Sequence, residues 1–444
     1  MPTPPDPAWS PLLAGDAASA AAAAVDAIAA GLQVFAEEPP GGPSGGSGRD
    51  LSLAGGQAGI ALFFSYLHFA RPGEGHDDTA MTFLERAIEG TSELPVGSGL
   101  YGGFPGVAWT LEHLAGRLFD PEGEDPGEEI ATVLAEFLAR SPWQGDYDLI
   151  SGLVGFAVYA LERLPRPGGR ECLEGAIARL AETAQAMGAG PKPEELLSWH
   201  TPSERVGALQ AATYPEGHYN LGVAHGVPAV IGVLGEALAA GVAEPEARRL
   251  LDGAAGWVLA QRLPAGADSL FPYNTAPGIA PNPTRLAWCY GDLGIAASLL
   301  AAARTAGDPR LEAEALAIAR HAAERAIAGS GVQDCGLCHG AAGVAHLFNR
   351  LYQATGEPAL GAAARTWYDQ ALARRGTAGI GGYQAWLPSS ADRMGDLAWM
   401  DDPGFLTGSA GIGLALLAAT SAVEPGWDRV LLTAIQGSAP MHRK

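Results

Sequence analysis

Lysine is all but missing from this chain: Lys192 and Lys444 are the only two in 444 residues, and arginine carries nearly all the basic charge. That bias reads as genome composition, not function. The shortage of positive charge has consequences all the same. Lys and Arg total 27 against 49 Asp and Glu, a formal net charge of -22. Nucleic-acid affinity rests on cations at phosphates, and an anionic bilayer attracts the same groups, so both are excluded as partners. The acidity reads as a solubility feature. Cysteine is scarce too, and four in a chain this long do not make a disulfide framework. The opening "MPTPPDPAWS" lacks a basic n-region and an apolar core, so no signal peptide is expected. The Ala-rich run "AASAAAAAVDAIAAGL" from Ala17 holds Asp26 and is expected to be too short and too weakly apolar to span a bilayer. These features together imply a cytoplasmic protein with reduced thiols and no membrane insertion.

What the chain has in quantity is apolar helix. It is 48% hydrophobic and 17% charged, enough for a large core. Length alone implies two or three domains, but an internal repeat overrides that prior. "GQAGIALFF" from Gly56 recurs as "GFPGVAWTL" from Gly103, "GLVGFAVYA" from Gly152 and "GVPAVIGVL" from Gly226. It returns as "GDLGIAASL" from Gly291, "GAAGVAHLF" from Gly340 and "GSAGIGLAL" from Gly408, seven copies in all. The fourth has Ala229 where the others have a second glycine.

Each motif opens an apolar helix, and an amphipathic helix follows. In "DPRLEAEALAIARHAAERA", Asp308 suits the cap, Pro309 the first turn, and Leu311, Ala315, Ile318 and Ala322 recur at helical spacing. "DPGEEIATVLAEFLAR" from Asp125 repeats the device, and the segment around 16–33 is the first amphipathic partner. About fourteen helices in seven pairs predict an all-α fold, an α/α toroid of helical hairpins spanning 1–444 as one domain. An open solenoid needs polar capping repeats, and the seventh copy is as apolar as the rest, which favours closure. The stretch 37–50 reads as a flexible loop, and 188–218 as a long insertion of the kind that forms lids or binding segments.

Aligned on the first glycine, the preceding residues are Gly55, Gly102, Ser151, His225, Tyr290, His339 and Thr407. One position earlier, the fifth and sixth copies carry Cys289 and Cys338. In a toroid these equivalent positions converge. Two thiolates and an imidazole suit Zn²⁺, and three protein ligands leave a fourth position open, as in catalytic sites. Cys335 is the alternative fourth ligand of a closed structural site. His225 is expected to transfer protons. Asp148 either orients it or caps a helix. Tyr290 and Arg285 are expected to stabilise an oxyanion.

At these residues the chain resembles the LanC lanthipeptide cyclases. "WCYGDLG" from Trp288, "CHGAAG" from Cys338 and "VAHGVPAV" from Val223 match that family's three signature stretches, and the glycine motifs extend the resemblance over essentially the whole chain. The resemblance implies a stand-alone cyclase with one zinc per chain on Cys289, Cys338 and His339. It implies addition of substrate cysteine thiols to dehydroalanine or dehydrobutyrine, closing (methyl)lanthionine thioether rings. It also implies a dehydrated precursor peptide with a leader as partner, in a biosynthetic complex with a dehydratase and a transporter. Relatives that add glutathione share the zinc motif. Protein prenyltransferases share the toroid and zinc but lack the Cys-His dipeptide in this arrangement. A zinc-stabilised, non-catalytic peptide-binding scaffold is the third alternative.

Overall fold

Every one of the seven repeated glycines caps a helix, and none of these caps uses a side chain. The reason lies in the chain just ahead. At Gly103, Gly152, Gly226, Gly291 and Gly408 a loop folds back over the helix start and brings a carbonyl from six positions upstream against the glycine. A Cβ on Gly103 would stand 1.9 Å from the Gly97 carbonyl oxygen, and one on Gly226 would stand 2.3 Å from that of Asn220. The second glycine meets the same constraint, with Gly343 1.9 Å from the Leu337 oxygen and Gly411 1.9 Å from that of Phe405 by the same measure. The same loops supply acceptors to the exposed helix N–H groups. Leu153 and Val154 donate to the carbonyls of Asp146 and Tyr147, and Ala341 and Ala342 to those of Asp334 and Cys335.

The computed structural model describes residues 9–37, 51–121, 125, 127–188, 196–389 and 396–435. Most of the expected loop at 37–50 lies outside them, as do residues 189–195 of the insertion. The apolar helices are α2 (Gln57–Ala70), α4 (Phe104–Leu114), α6 (Leu153–Arg163), α9 (Val227–Ala239), α11 (Asp292–Ala306), α13 (Ala341–Thr355) and α15 (Ser409–Thr420). Their amphipathic partners are α1 (Gly15–Glu37), α3 (His76–Glu93), α5 (Glu128–Leu138), α7 (Gly169–Thr183), α10 (Glu244–Ala260), α12 (Pro309–Glu324) and α14 (Pro358–Ala373). The predicted seven apolar and seven amphipathic helices are all present among the described residues. In α15 every residue from Ser409 to Ala419 is buried, whereas α12 buries only Leu311, Ala315, Ile318, Ala319 and Ala322.

The chain divides into two compact units. One comprises Pro126–Gly331 with Asp428–Lys444 and Met1–Asp6, and the other Pro7–Asp125 with Val332–Trp427. In the first, α9 packs between α6 and α11, and α7, α10 and α12 back these three helices. In the second, α2 packs between α4 and α15, and α15 also packs on α13. There the first and last copies touch, and α1 backs α15, so the two ends of the repeat series meet.

Helix α1 runs further than its Ala-rich core, and by length and composition alone Gly15–Ala36 is long enough to cross a membrane, contrary to the sequence expectation. Its apolar stripe of Ala21, Ala24, Val25, Ile28 and Leu32 is fully buried, as a core helix requires. Asp308 caps α12 as expected, accepting from the N–H groups of Arg310 and Leu311. Asp125 does not repeat the device: α5 begins at Glu128 behind Gly127, and Glu128 and Glu129 face the helix dipole instead.

Strands are few and short. The insertion contributes β2 (Leu197–Ser198), which pairs with β1 (Gln185–Ala186) just ahead of it, and β3 (His200–Thr201), which forms a sheet with β4 (His218–Asn220) and β5 (Asn274–Thr275). It also holds the short helix α8 (Ala208–Thr213). In the second unit β6 (Ala385–Pro388) and β7 (Leu397–Met400) form an antiparallel hairpin.

Candidate active site

Three consecutive loops, each laid over the start of α6, α9 or α11, carry Asp146–Asp148, Asn220–His225 and Arg285–Tyr290. Residues of all three loops line a cavity of about 230 Å³ in the first unit. The described part of the insertion supplies the other wall, with His200, Thr201, Arg205, Gln210 and His218. Arg205 fastens that wall to the first loop through the carbonyls of Gln144 and Gly145 and through Asp146, 3.3 Å away.

Of the two things its sequence position offered, Asp148 is the partner of His225 and not a helix cap, since α6 starts at Gly152 with no side-chain cap. One carboxylate oxygen accepts from the Ser151 N–H at 2.7 Å, and the other holds Nδ1 of His225 at 2.5 Å. The pair fixes the imidazole and places its proton on Nδ1, leaving Nε2 as the second exchangeable position. Burial pulls the His225 pKa down, but the Asp148 hydrogen bond and charge, with Cys289 and Asp146, more than offset it, and the net shift is upward. Tyr147 donates to the His225 carbonyl at 3.3 Å from a buried position that pushes its own pKa up. Asn220 donates to the Tyr290 hydroxyl at 2.9 Å, and its carbonyl accepts from the Gly222 N–H at 2.8 Å.

His218 titrates the other way. Burial, with His200 and His225 nearby, lowers it to about 4, so this imidazole is neutral at pH 7. Cys289 is buried directly behind Tyr290, and its carbonyl accepts from the Ala224 N–H at 3.3 Å. Arg285 does not line the cavity: its backbone N–H donates to the Tyr273 hydroxyl at 3.2 Å, and its Nε is buried without a hydrogen-bond partner.

In the second unit the loop Asp334–Gly340 presents Cys338 and His339 ahead of α13. The Cys338 N–H donates to the Leu406 carbonyl at 2.8 Å, and the Cys338 sulfur and a ring nitrogen of His339 lie within 4.8 Å of each other. Adjacent residues reach this proximity because they sit on a loop and not on the helix. Asp334 organises it: one oxygen accepts from the Gly336 N–H at 3.3 Å, and the other accepts from the Trp386 N–H at 3.1 Å and stands 3.9 Å from His339 Nε2. Tyr101, at the cysteine position of the second repeat, is buried, and burial with the Cys338 charge raises its pKa.

Cys335 faces elsewhere. Its sulfur lies 3.8 Å from the Ala371 carbonyl, and burial, with Asp334 adding, pushes it up to about 12. Turned to Ala371, its sulfur does not join the Cys338–His339 pair. The sequence reading missed Asn220, Tyr101, Tyr147 and the insertion residues around His218. A signal for Asn220 existed, since it holds the same repeat offset as Asp334 and Asp402.

Paired helices whose loops carry thiols, imidazoles and a carboxylate define an α/α-repeat protein with its chemistry at the helix N-termini. The family model described as "Lanthionine synthetase C-like protein" matches residues 47–432, and the chain belongs to that family. The resemblance read from the three signature stretches is thereby borne out. No curated protein matches the sequence. A solved structure titled "Nisin cyclase" is 19% identical over 92% of this chain and 96% of its own, with a TM-score of 0.70. That likeness shows the fold, the all-α toroid class expected from the repeats. A sugar epimerase from a ruminal bacterium, 12% identical over 82% of this chain and 86% of its own, has a TM-score of 0.44 and carries no argument.

Proposed function

We propose that the chain is a zinc-dependent cyclase that adds cysteine thiols of a dehydrated precursor peptide to its dehydroalanine and dehydrobutyrine residues, closing thioether rings. The observation that carries this reading is the Asp148–His225 pair at 2.5 Å on the wall of the cavity, with Cys289 near enough for its charge to act on His225. The donor set fits the metal: two thiols and one imidazole remain once Cys335 is excluded, three ligands and not four. One zinc held by Cys289, Cys338 and His339 would supply an open coordination position and lower the pKa of the incoming thiol.

The chain's own residues then manage the proton. The thiol sulfur bonds to the β-carbon of the dehydro residue, and the π electrons move onto the carbonyl oxygen. Tyr290, whose oxygen accepts from Asn220, donates its O–H towards that oxyanion. His225 delivers a proton to the α-carbon, and Asp148 holds the imidazole and stabilises its charged form. The thiol proton is thereby balanced by the new C–H bond. Because Arg285 stands off the cavity wall, the oxyanion role falls to Tyr290. Four free cysteines agree with a reducing, cytoplasmic setting. The leader-bearing precursor is the direct partner, and a dehydratase and a transporter complete the proposed complex.

Metal analysis and ring formation test the reading together. The wild type is expected to hold one zinc and to protect the thiols of dehydrated peptide from alkylation. Cys338→Ala is expected to lose the metal, and Cys335→Ala to keep it. Full zinc in the Cys338 variant would sink the assigned site.

A further inference from the structure

Of the eight large apolar side chains exposed among the described residues, Val34, Ile88, Val133, Leu209 and Ile327 stand singly, but Leu397, Trp399 and Met400 share one strand. Scattered apolar residues are ordinary, whereas a contiguous exposed patch marks an interaction surface. The strand is β7, and its register with β6 sets Trp386 opposite Trp399 and Pro388 opposite Leu397. Alternation along a strand puts these four side chains on one face. The two indole rings lie 5.1 Å apart, yet Trp399 remains 52% exposed. The hairpin forms a two-stranded sheet, so among the described residues each strand has one edge without a strand partner. A hairpin this short is marginal alone, and unpaired edges are templates for an added extended segment.

Exposed carboxylates flank β7, Asp396 ahead of it and Asp401 after it. The described residues 384–389 and 396–402 hold no cation. An indole pair rimmed by carboxylates suits a Lys or Arg side chain next to an apolar one, through cation–π and Coulomb attraction. The same features disfavour a second copy of this chain, because two surfaces of a chain with net charge -22 repel. The hairpin is also tied to the Cys338–His339 loop. The Trp386 N–H donates to the Asp334 oxygen that stands 3.9 Å from His339 Nε2.

We propose that the β6–β7 hairpin is a docking face for an extended substrate segment carrying basic and apolar residues, which it holds beside the Cys338–His339 loop. The inference deepens the proposed function and rests on a peptide substrate. The segment lies along the hairpin, its cation over Trp399 or Trp386 and its apolar neighbour against Leu397 and Pro388. Asp334 links the face to His339 through one carboxylate.

The test uses the full chain and labelled short peptides without cysteine or dehydro residues, alternating Lys with Leu or Glu with Leu, read by fluorescence anisotropy. The Lys/Leu peptide is expected to bind the wild type and the Glu/Leu peptide not to. Trp399→Ala with Leu397→Ser is expected to weaken binding about tenfold or more, the scale of an aromatic anchor. Asp396→Asn with Asp401→Asn should weaken it less and flatten its salt dependence. Both variants alter exposed side chains, and unchanged circular dichroism and zinc content separate docking from unfolding. Equal binding by the double variant, or equal binding of the acidic peptide, overturns the proposal. A wild-type dimer that Trp399→Ala dissociates also overturns it, by assigning the face to a second copy. The readout is independent of the reaction: a wild type that binds the basic peptide but never cyclises a dehydrated one refutes the cyclase reading and supports the face.

Discussion

The loop Asn220–Gly226 in one unit and the loop Asp334–Gly340 in the other share a frame and differ in what they do with it. In both, the first side chain accepts a hydrogen bond from the N–H two residues on, at 2.8 Å for Gly222 and 3.3 Å for Gly336. In both, the closing glycine is pressed by the loop's own backbone. The second polar atom of the leading residue then separates them. Asn220 has an amide donor and gives it to Tyr290. Asp334 has a second anionic oxygen and turns it to Trp386 and His339. A neutral residue leads the loop that carries His225, the proposed proton-transfer group, and a charged one leads the loop that carries Cys338 and His339, the proposed metal ligands. One atom, NH₂ or O⁻, thus specialises a common loop.

Breaking the function of the first loop alone gives the largest expected effect. His225→Asn is expected to keep stoichiometric zinc and peptide binding but to slow cyclisation by about 10² to 10⁴-fold, the usual range for general acid–base catalysis. Early rates followed by thiol trapping check this, since thiols add slowly to dehydroalanine unaided. Loss of zinc in that variant would instead make His225 a metal support.

Breaking the shared frame should affect both loops alike. A Cβ at Gly226 would stand 2.3 Å from the Asn220 oxygen, and one at Gly340 2.2 Å from the Gly336 nitrogen. Each Gly→Ala change is expected to cost roughly 1–3 kcal/mol through overpacking. Denaturant midpoints of the two variants would show it, and a shift confined to one of them would deny the common frame.

Exchanging the leading residues sharpens the contrast. Asp334→Asn keeps an acceptor for Gly336 but removes the charge beside His339, and zinc affinity should fall about 10 to 100-fold in chelator competition. Asn220→Asp should leave zinc affinity unchanged and lower the rate, because Tyr290 loses its donor.

The smallest effect concerns His218, whose pKa is shifted down where that of His225 is shifted up. Its pKa is lowered to about 4 from an ordinary 6.5. Between those values the unfolded chain binds the extra proton, so stability is present above the unfolded pKa and is lost as pH falls towards the folded one. His218→Gln should therefore lose about 1 kcal/mol less than the wild type between pH 7 and pH 5.5. Thermal melts at the two values decide it.

Much of this was legible from sequence because it is local. The glycines, the apolar runs and the Asp308 cap concern residues a few positions apart, where helical period and sterics leave little choice. The Cys338–His339 pair was legible for the same reason. Cys335 was not: it lies three residues from Cys338, but only packing shows its sulfur turned to Ala371 and held protonated by burial. Asp148 was readable as a cap or as a partner of His225, and only the packed loops show that one oxygen holds the imidazole and the other the Ser151 N–H ahead of the helix.

The sequence by itself determined the seven apolar and seven amphipathic helices, the loops that carry the candidate site residues and the residue types on them, since each follows from backbone sterics and apolar periodicity. Only the tertiary structure decided which polar atoms meet. Asn220 finds Tyr290, Asp334 finds Trp386, and the insertion closes over the Asp148–His225 pair, all across separations that no local rule spans. Those pairings arise because packing the apolar helices brings their loops together, and buried donors and acceptors must then find one another or remain unsatisfied.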